Sequence, residues 1–342
     1  MSDIAKHLNQ FEMFNGIANN DLEPIDSRGL AHDHLKIGQS GWILRVPRGN
    51  QLDMNDKDYL ELQKSIYSEM AASGAAPKIH AVINPNHDLP HGALIIEYIK
   101  GRPVQTQNNL QAIAKCLAKI HSLPVPQGTN LIQRASSPLQ SQLFLINEFL
   151  SDVFNNAALS TQTAQLLDNE RKEVISEIQA LKPREDLPYS IIGGDSHLGN
   201  YLIDKNGDAF LVDLEFASYD LALIDLADAS LEITSRLDPN NDVRPDEHMK
   251  SEFYKTWSNA LSAPLSDKLS NLIPLTERTV QLRTLAWLVY WVSEGRAKEI
   301  NKTPKKSVRN WDELTSTYLN PVKLASMLNK PVSSVNTPAW NL

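Results

Sequence analysis

The sequence predicts an α+β protein with two lobes, a small N-terminal lobe that holds a β-sheet and one main helix, and a larger, mostly helical C-terminal lobe. Two observations lead to this prediction. Alternating apolar patterns typical of strands concentrate in the first third of the chain, whereas helical spacing of apolar residues dominates afterwards. The 342 residues are also enough for two domains or one bilobed domain.

Composition narrows the class of protein. The chain is 42% hydrophobic and 22% charged, which is ordinary globular composition, and its net charge of −8 argues against nucleic-acid or anionic-membrane partners. A single cysteine excludes an internal disulfide framework and fits a reducing compartment. The first residues lack the apolar core of a signal peptide, and runs such as LAWLVYWV are too short to span a bilayer. We therefore expect a cytoplasmic protein, whose oligomeric state the sequence leaves open.

The first lobe is predicted from a hairpin, a helix and a buried strand. Apolar residues alternate with polar ones over residues 35–37 and 42–46, on either side of the turn GQSG, which predicts a β-hairpin. Asp56–Ser73 has apolar residues at helical spacing and is followed by a glycine, which predicts an amphipathic helix. The run GALIIEYIKG has the length and composition of a short buried strand.

The rest of the chain is predicted to be mainly helical. Helical spacing predicts helices over Asn109–Leu123, Gln140–Asn156, Thr161–Leu181 and Pro274–Gly295. Cys116 and His121, on the first of these, are predicted to be core or interface residues rather than ligands. Trp287 and Trp291, on the last, are four residues apart and therefore share one helix face.

The most informative stretch is IIGGDSHLGNYLIDKNGDAFLVDLEFASYDLALIDLAD. Two short β-rich runs flank the polar turn DKNGD, which predicts a hairpin. The loop and hairpin bring together Asp195, Asn200 and Asp213. An acid beside an amide and a second carboxylate is what phosphoryl transfer needs, because the acid can orient a hydroxyl and the other two can bind magnesium. Turn and Asx-capping chemistry is the alternative explanation of the same residues, and Asp225 is predicted to brace the loop.

GGDSHLGN followed by LVDLE resembles the catalytic and metal-binding segments of the aminoglycoside phosphotransferase and choline kinase superfamily, small-molecule kinases with a protein-kinase-like fold. The resemblance implies ATP-dependent transfer of a phosphoryl group to a hydroxyl, with Asp195 as the catalytic base. It assigns Asn200 and Asp213 to Mg²⁺, with Glu215 as a contributor to a second ion. Where the family has a leading histidine this chain has Gly193, which bears on loop rigidity more than on chemistry.

The same resemblance implies nucleotide-binding residues in the first lobe. The segment GLAHD is similar to the family's nucleotide loop, and the residues that would cradle phosphates are Leu30, Ala31 and His32. Main-chain groups of Glu97 and Ile99 would bind adenine at a hinge, although a plain core strand is the alternative. The hinge gives predicted domains of residues 1–97, which bind the nucleotide, and 98–342, which carry the chemistry and the substrate pocket.

Arg45 occupies the place of the strand lysine or arginine that reaches the α- and β-phosphates in the family. A solvated strand arginine is the alternative. A helix glutamate pairs with this residue in the family, and the spacing here falls near Gln63, with Glu61 and Glu69 on other faces. The identity of the partner stays open.

The acceptor and two rival functions also stay open. Trp287 and Trp291 are similar to a tryptophan pair that contributes to a wall for a quaternary ammonium group in choline kinases, although core packing is the alternative. Choline, ethanolamine, an aminoglycoside, a sugar and an amino alcohol are all compatible with the sequence, as are ATP and GTP. One rival is a nucleotide-binding pseudokinase with a regulatory or scaffolding role, suggested by Gly193 and by the unclear helix glutamate. The other is a non-enzymatic helical binding protein.

Overall fold

The computed structural model divides the chain into two compact units, Met1–Gly101 and Arg102–Leu342. It describes residues 3–25, 31–49, 54–126, 131–181, 187–239, 241, 243–261, 267–295 and 305–329. The first unit holds a sheet and the second is mainly helical, which confirms the predicted α+β class. The functional boundary after residue 97 stays a prediction, since the division between the units falls after Gly101.

The first unit is built on a five-stranded antiparallel sheet. Its strands are β1 (Leu22–Ile25), β2 (His32–Ile37), β3 (Trp42–Pro47), β4 (Ile79–Ile83) and β5 (Ala93–Glu97). They lie in the order β1-β2-β3-β5-β4, and β2 and β3 form the predicted hairpin. The sequence does not predict β1, because this four-residue strand contains Pro24, and proline is tolerated only at a sheet edge such as this one.

The main helix of the first unit is α2 (Asp56–Ala71), which begins at a well-formed cap. Asn55 accepts a hydrogen bond from the Asp58 N–H at 3.0 Å, which satisfies one of the free donors of the first turn. A shorter helix, α1 (Ile4–Leu8), adds Leu8 to a buried apolar cluster that includes Leu44 of β3. Successive strand residues point to opposite faces, so the next side chain, Arg45, is directed away from that cluster.

The second unit is mainly helical. Its helices are α3 (Asn109–His121), α4 (Gln140–Phe149), α5 (Thr161–Ala180), α6 (Leu223–Ser230), α7 (Glu232–Ser235), α8 (Glu247–Ala260), α9 (Asp267–Ser270), α10 (Ile273–Tyr290), α11 (Lys305–Tyr318) and α12 (Pro321–Asn329). Helix α10 packs against α4, α5 and α6, and then continues as one π-helical turn, Trp291–Gly295. Among the described helices, none combines the length and apolarity that a membrane crossing requires.

Short strands hold the loops of the second unit. They are β7 (Tyr189–Ile192), β8 (Tyr201–Asp204), β9 (Ala209–Leu211) and β10 (Ser218–Leu221), and the three-residue β6 (Gly101–Pro103) lies where one unit gives way to the other in the sequence. Strands β8 and β9 form the predicted hairpin, and β7 pairs with β10. The sequence does not predict β10, because four residues with an aspartate among them carry no strand pattern.

Candidate active site

The loop between β7 and β8, residues 193–200, carries the predicted base and is called the catalytic loop. Gly194 has a φ of +76°, and a Cβ there would lie 2.4 Å from the carbonyl oxygen of Phe216, so the position requires glycine. The backbone therefore passes through a left-handed conformation immediately before Asp195. This conformation sets the direction of the backbone at Asp195, the predicted base.

Asp195 and Asn200 are held against each other across the catalytic loop. Asn200 Nδ2 donates to the Asp195 carbonyl oxygen at 2.7 Å and lies 3.4 Å from Asp195 Oδ2. Because these contacts use the amide nitrogen, the amide oxygen of Asn200 is the atom left to serve as a ligand. The Asp195 side chain is 36% exposed, so a hydroxyl can reach it, and His197 Nε2 lies 3.9 Å from its Oδ2.

The hairpin ties the second acidic segment to the catalytic loop. The Val212 N–H donates to the Asn200 carbonyl oxygen at 3.0 Å, and Asp213 follows directly. Carboxylate oxygens of Asp213 and Glu215 lie within 4.8 Å of each other, and Glu215 is buried. Carboxylate and amide oxygens are the donors that Mg²⁺ prefers. The donor set of Asn200, Asp213 and Glu215 therefore fits magnesium.

Asp225 on α6 braces the catalytic loop through two hydrogen bonds, as the sequence predicts. Its Oδ2 accepts the Gly193 N–H at 2.8 Å and its Oδ1 accepts the Gly194 N–H at 3.0 Å. His121 Nε2 lies 3.1 Å from Asp225 Oδ2, and Trp257 Nε1 donates to His121 Nδ1 at 3.0 Å. Since Nδ1 accepts, the proton of a neutral His121 is on Nε2 and is donated to Asp225. His121 is thus a buried core residue, as predicted.

Two further supports, Asp228 and Arg283, are missed by the sequence analysis. Asp228 Oδ2 accepts the Ser196 N–H at 3.2 Å, and Arg283 Nη1 donates to the Gly194 carbonyl oxygen at 2.9 Å. Arg283 Nη2 also donates to Asp228 Oδ1. The spacing of Asp228 three residues after Asp225 signals a shared helix face. Arg283 stands out as a charge in a largely uncharged stretch of α10, but no local pattern indicates its partners, which are distant in the sequence.

The pKa values of this buried pair are shifted. Burial, opposed by Arg283 and assisted by the carboxylates of Asp195 and Asp225, raises the pKa of Asp228 to about 6. Burial lowers the pKa of Arg283, but the neighbouring carboxylates of Asp228 and Asp195 outweigh it and raise the pKa overall. A group with so high a pKa stays charged at every pH at which the protein is folded. Arg283 is therefore a permanent cation in contact with the catalytic loop.

The predicted phosphate loop is described only in part. Leu30 lies outside the described residues, whereas Ala31 is buried and its carbonyl oxygen accepts the Arg48 N–H at 2.8 Å. His32 begins β2 and is buried, with Nε2 at 3.3 Å from the Tyr59 hydroxyl. Burial, and after it the charge of Arg45, lowers the pKa of His32 well below its ordinary value. His32 is therefore neutral at physiological pH.

Arg45 is 2% exposed and so is not a solvated strand side chain. Its Nη1 donates to Gln63 Oε1 at 3.4 Å, and its guanidinium carbon lies 5.7 Å from the centre of the Tyr67 ring. Among the three candidates left open by the sequence, α2 thus presents Gln63 to the arginine. Glu61 instead lies 3.4 Å from Lys64 on the exposed side of the helix.

The predicted hinge residues follow directly on β5. The Glu97 N–H donates to the Lys78 carbonyl oxygen at 2.8 Å, and the Ile99 carbonyl oxygen accepts the Gly101 N–H at 2.9 Å. Within the described part of the chain, the N–H of Ile99 has no hydrogen-bond partner. A main-chain donor of this kind is what recognition of an adenine ring nitrogen requires.

Trp287 of α10 stacks on Trp291, the first residue of the π-helical turn that follows, and both meet a third tryptophan. Their rings lie 5.9 Å apart at 18°, and Trp311 of α11 packs edge-on against both. Trp291 is 1% exposed, whereas Trp287 is partly exposed. Arg283, Trp287 and Trp291 recur every four residues, so the indoles share the helix face that reaches the catalytic loop. The sequence analysis does not identify Trp311.

Comparisons with known proteins identify the family and the fold of the chain. The chain matches the model of the phosphotransferase enzyme family over residues 27–248. No curated protein sequence matches it significantly. Solved structures give broader matches: a choline kinase from Cryptosporidium parvum Iowa II is 14% identical with a TM-score of 0.62, and the match covers 95% of this chain and 96% of that chain.

Two other solved structures match over nearly their whole length. A microcompartment-associated aminopropanol kinase is 16% identical with a TM-score of 0.60, covering 95% of this chain and 97% of that one. The ADP-bound aminoglycoside phosphotransferase APH(2'')-Ib is 15% identical with a TM-score of 0.53, covering 93% and 98%. These likenesses confirm the predicted two-lobe, protein-kinase-like fold. Because the family model spans more than half of the chain, the chain belongs to the phosphotransferase enzyme family, which confirms the enzyme class predicted from its sequence, a small-molecule kinase.

Proposed function

We propose that the protein transfers the γ-phosphoryl group of ATP to a hydroxyl of a small amino alcohol, with Mg²⁺ as the metal. The observation that carries the proposal is the placement of Asp195, Asn200 and Asp213. One loop and one hairpin hold an accessible carboxylate, an amide whose nitrogen is already bonded to the loop, and a second carboxylate.

Asp195 orients the acceptor hydroxyl and takes its proton. Phosphoryl transfer has a loose transition state in which the nucleophile needs little activation, so the base acts mainly by alignment. Alignment requires a carboxylate whose backbone cannot drift. Asn200 Nδ2 donates a hydrogen bond to the Asp195 carbonyl oxygen at 2.7 Å, and this bond fixes the backbone of Asp195.

Asn200 and Asp213 are the proposed magnesium ligands, with Glu215 contributing to a second ion. Bound magnesium would neutralise charge on the β- and γ-phosphates. The chain's own part is to present oxygen atoms of the correct type. Asn200 does so because its nitrogen is occupied, and Asp213 and Glu215 do so because their carboxylates converge.

The first unit supplies the proposed nucleotide site. Arg45 contributes a buried, permanently charged guanidinium for the α- and β-phosphates, and the loop residues Leu30, Ala31 and His32 contribute backbone N–H groups. The main-chain carbonyl of Glu97 and the N–H of Ile99 would bind adenine. ATP is supported by the ADP-bound relative of the same fold.

The acceptor class is proposed from Trp287. Its indole is partly exposed and lies one helical turn beyond Arg283, whose guanidinium contacts the catalytic loop. A partly exposed indole face can attract an ammonium group through its quadrupole. Trp291 is fully buried behind it and supports the ring of Trp287 by stacking. Relatives of the same fold that act on choline and aminopropanol support this class.

A panel of alcohols tests the proposal. ADP release is measured with Mg-ATP and choline, ethanolamine, aminopropanol, an aminoglycoside and a sugar. We expect turnover with an amino alcohol and none without magnesium. Protection by Mg-ATP against thermal unfolding without turnover for any alcohol would favour the pseudokinase, and no response to nucleotide would favour a binding protein.

A paired variant tests the metal assignment. Asp213→Asn removes a carboxylate from the proposed metal site, so Mg-ATP should no longer raise the melting temperature. Asp208→Asn is the matched control, because Asp208 is an exposed carboxylate in the turn of the same hairpin. An unchanged melting shift in folded Asp213→Asn would show that Asp213 does not bind the metal.

A further inference from the structure

Two buried charged residues flank Asp195 in the structure: Arg283 on α10 and Asp228 on α6. We propose that they are positioning residues that fix the backbone on both sides of Asp195, an inference that rests on the proposed role of Asp195 as the base. Neither residue would touch substrate or nucleotide. Their effect would be exerted through the position of the catalytic loop.

The contacts of the pair end on the two residues adjacent to Asp195. Arg283 Nη1 donates to the carbonyl oxygen of Gly194 at 2.9 Å, and Asp228 Oδ2 accepts the N–H of Ser196 at 3.2 Å. Arg283 Nη2 closes the arrangement by donating to Asp228 Oδ1. The residue before the base and the residue after it are therefore joined through one ion pair.

The catalytic loop needs such support because it begins with two glycines. Glycine is the residue with the greatest backbone freedom, so Gly193 and Gly194 do not restrain the loop themselves. A side chain at position 193 could not help as the loop is packed, since a Cβ there would lie 2.6 Å from Ser196 Oγ and 2.7 Å from Leu211 Cδ2. Restraint has to come from side chains of other elements.

Stability alone is a poor explanation of this pair. Its side chains are 8% and 0% exposed, for Arg283 and Asp228 respectively, and burying two charges costs solvation that well-packed apolar residues would not lose. The arginine fork donates to a backbone carbonyl and to a carboxylate at the same time. A lysine keeps the charge but lacks this planar fork, so it separates charge from geometry.

Arg283→Lys is therefore the informative variant. We expect turnover with the best alcohol of the panel to fall about 10- to 100-fold, the loss typical of a displaced catalytic group, with the KM for ATP nearly unchanged. Hydrogen exchange of the peptide that covers the catalytic loop should become faster. Asp228→Asn, which loses one of the two acceptors, should show the same pattern and serves if Arg283→Lys does not fold.

Arg278→Lys is the matched control. Arg278 lies five residues earlier on α10 and binds Glu170 and Glu173 of α5 instead of the catalytic loop. This variant should lose thermal stability while its turnover per folded molecule and its loop exchange remain those of the wild type.

The two readouts keep the inference separate from the proposed reaction. If Arg283→Lys loses turnover only in proportion to its unfolded fraction, or exchanges its catalytic loop at the wild-type rate, the pair is a stability element and the inference is wrong. If the wild type phosphorylates no alcohol, the reaction is wrong, and the exchange comparison with Arg278→Lys still decides whether the pair fixes the loop.

Discussion

Two buried arginines, one in each unit, are held in different ways. Arg45 of the first unit is 2% exposed and donates to the neutral amide of Gln63, with the ring of Tyr67 beside it. Arg283 of the second unit is also buried and donates to the carboxylate of Asp228 and to a backbone carbonyl. Gln63 thus gives Arg45 a neutral acceptor, whereas Asp228 gives Arg283 a carboxylate.

The difference indicates two tasks. The hydrogen bond to Gln63 orients the guanidinium of Arg45, which is always charged and so suits a residue that has to attract phosphates. Burial, and after it the charge of Arg45, lowers the pKa of His32. The carboxylate of Asp228 offsets the charge of Arg283. The role of Arg283 therefore lies in the directed hydrogen bonds of its guanidinium to Asp228 and to the catalytic loop. We therefore expect changes at Arg45 to affect nucleotide binding and changes around Asp195 to affect turnover.

The largest effect is expected for Asp195→Asn. Asparagine keeps the shape and hydrogen bonding of the side chain but removes its charge and its capacity to take a proton. General-base contributions amount to about 100- to 10,000-fold, or roughly 2.7–5.4 kcal/mol of barrier. Turnover should fall in that range while the affinity for ATP and the melting temperature are retained. Turnover close to that of the wild type would mean that another group accepts the proton.

The next effect concerns Arg45→Met, which should weaken ATP binding with little change in saturated turnover. A hydrogen bond to a charged group contributes about 1.5–3 kcal/mol, equivalent to about 10- to 100-fold in affinity. The measurement is ATP affinity by calorimetry. Lys36→Met on the partner strand is the control, since Lys36 lies 3.7 Å from Glu23 at the sheet edge. Equal losses in both variants would remove the special role of Arg45.

The two arginines also differ in how far the sequence predicts them. Arg45 lies in a period-two pattern within a hairpin, so its strand and its face follow from local information. Arg283 depends on contacts made 89 residues away along the chain, and no local pattern encodes that distance. The same reasoning separates Asp225, predicted as a brace because it closely follows the motif, from the pairing of β7 with β10, which brings together two short strands without alternation.

The tryptophan pair shows a similar limit. Helical spacing predicts that Trp287 and Trp291 share a face, but it cannot tell which of the two is covered. The covering residue, Trp311, belongs to a separate helix, and only the fold places it against them. The predicted helix over Pro274–Gly295 also differs from the structure at its end. Helix α10 ends as an α-helix at Tyr290, and the turn that follows is π-helical.

A smaller effect is expected for the tryptophans, and it should differ between the two. Trp287→Ala should weaken binding of a cationic alcohol by roughly 0.5–2 kcal/mol, with ATP affinity unchanged. Trp291→Ala should instead destabilise the fold by ~3–5 kcal/mol, because its ring is buried. The substrate KM and the urea unfolding midpoint separate these outcomes. If Trp287→Ala loses only stability, both rings are core residues.

The smallest effect is a pH dependence that arises from the carboxylate partner of Arg283. The carboxylate of Asp228 faces Asp195 from the catalytic loop, Asp225 from α6 and Arg283 from α10, and its pKa is raised from 3.8 to about 6. Between these values the folded protein binds a proton at Asp228 that the unfolded chain has released. The stability that this group contributes is therefore greatest below about pH 4 and is lost as the pH rises through about 6. Urea unfolding of the wild type and of Asp228→Asn at several pH values isolates this contribution, and the difference between their free energies of unfolding should decrease across this interval. A difference that instead increases with pH would mean that Arg283 outweighs burial and holds the pKa of Asp228 below its ordinary value.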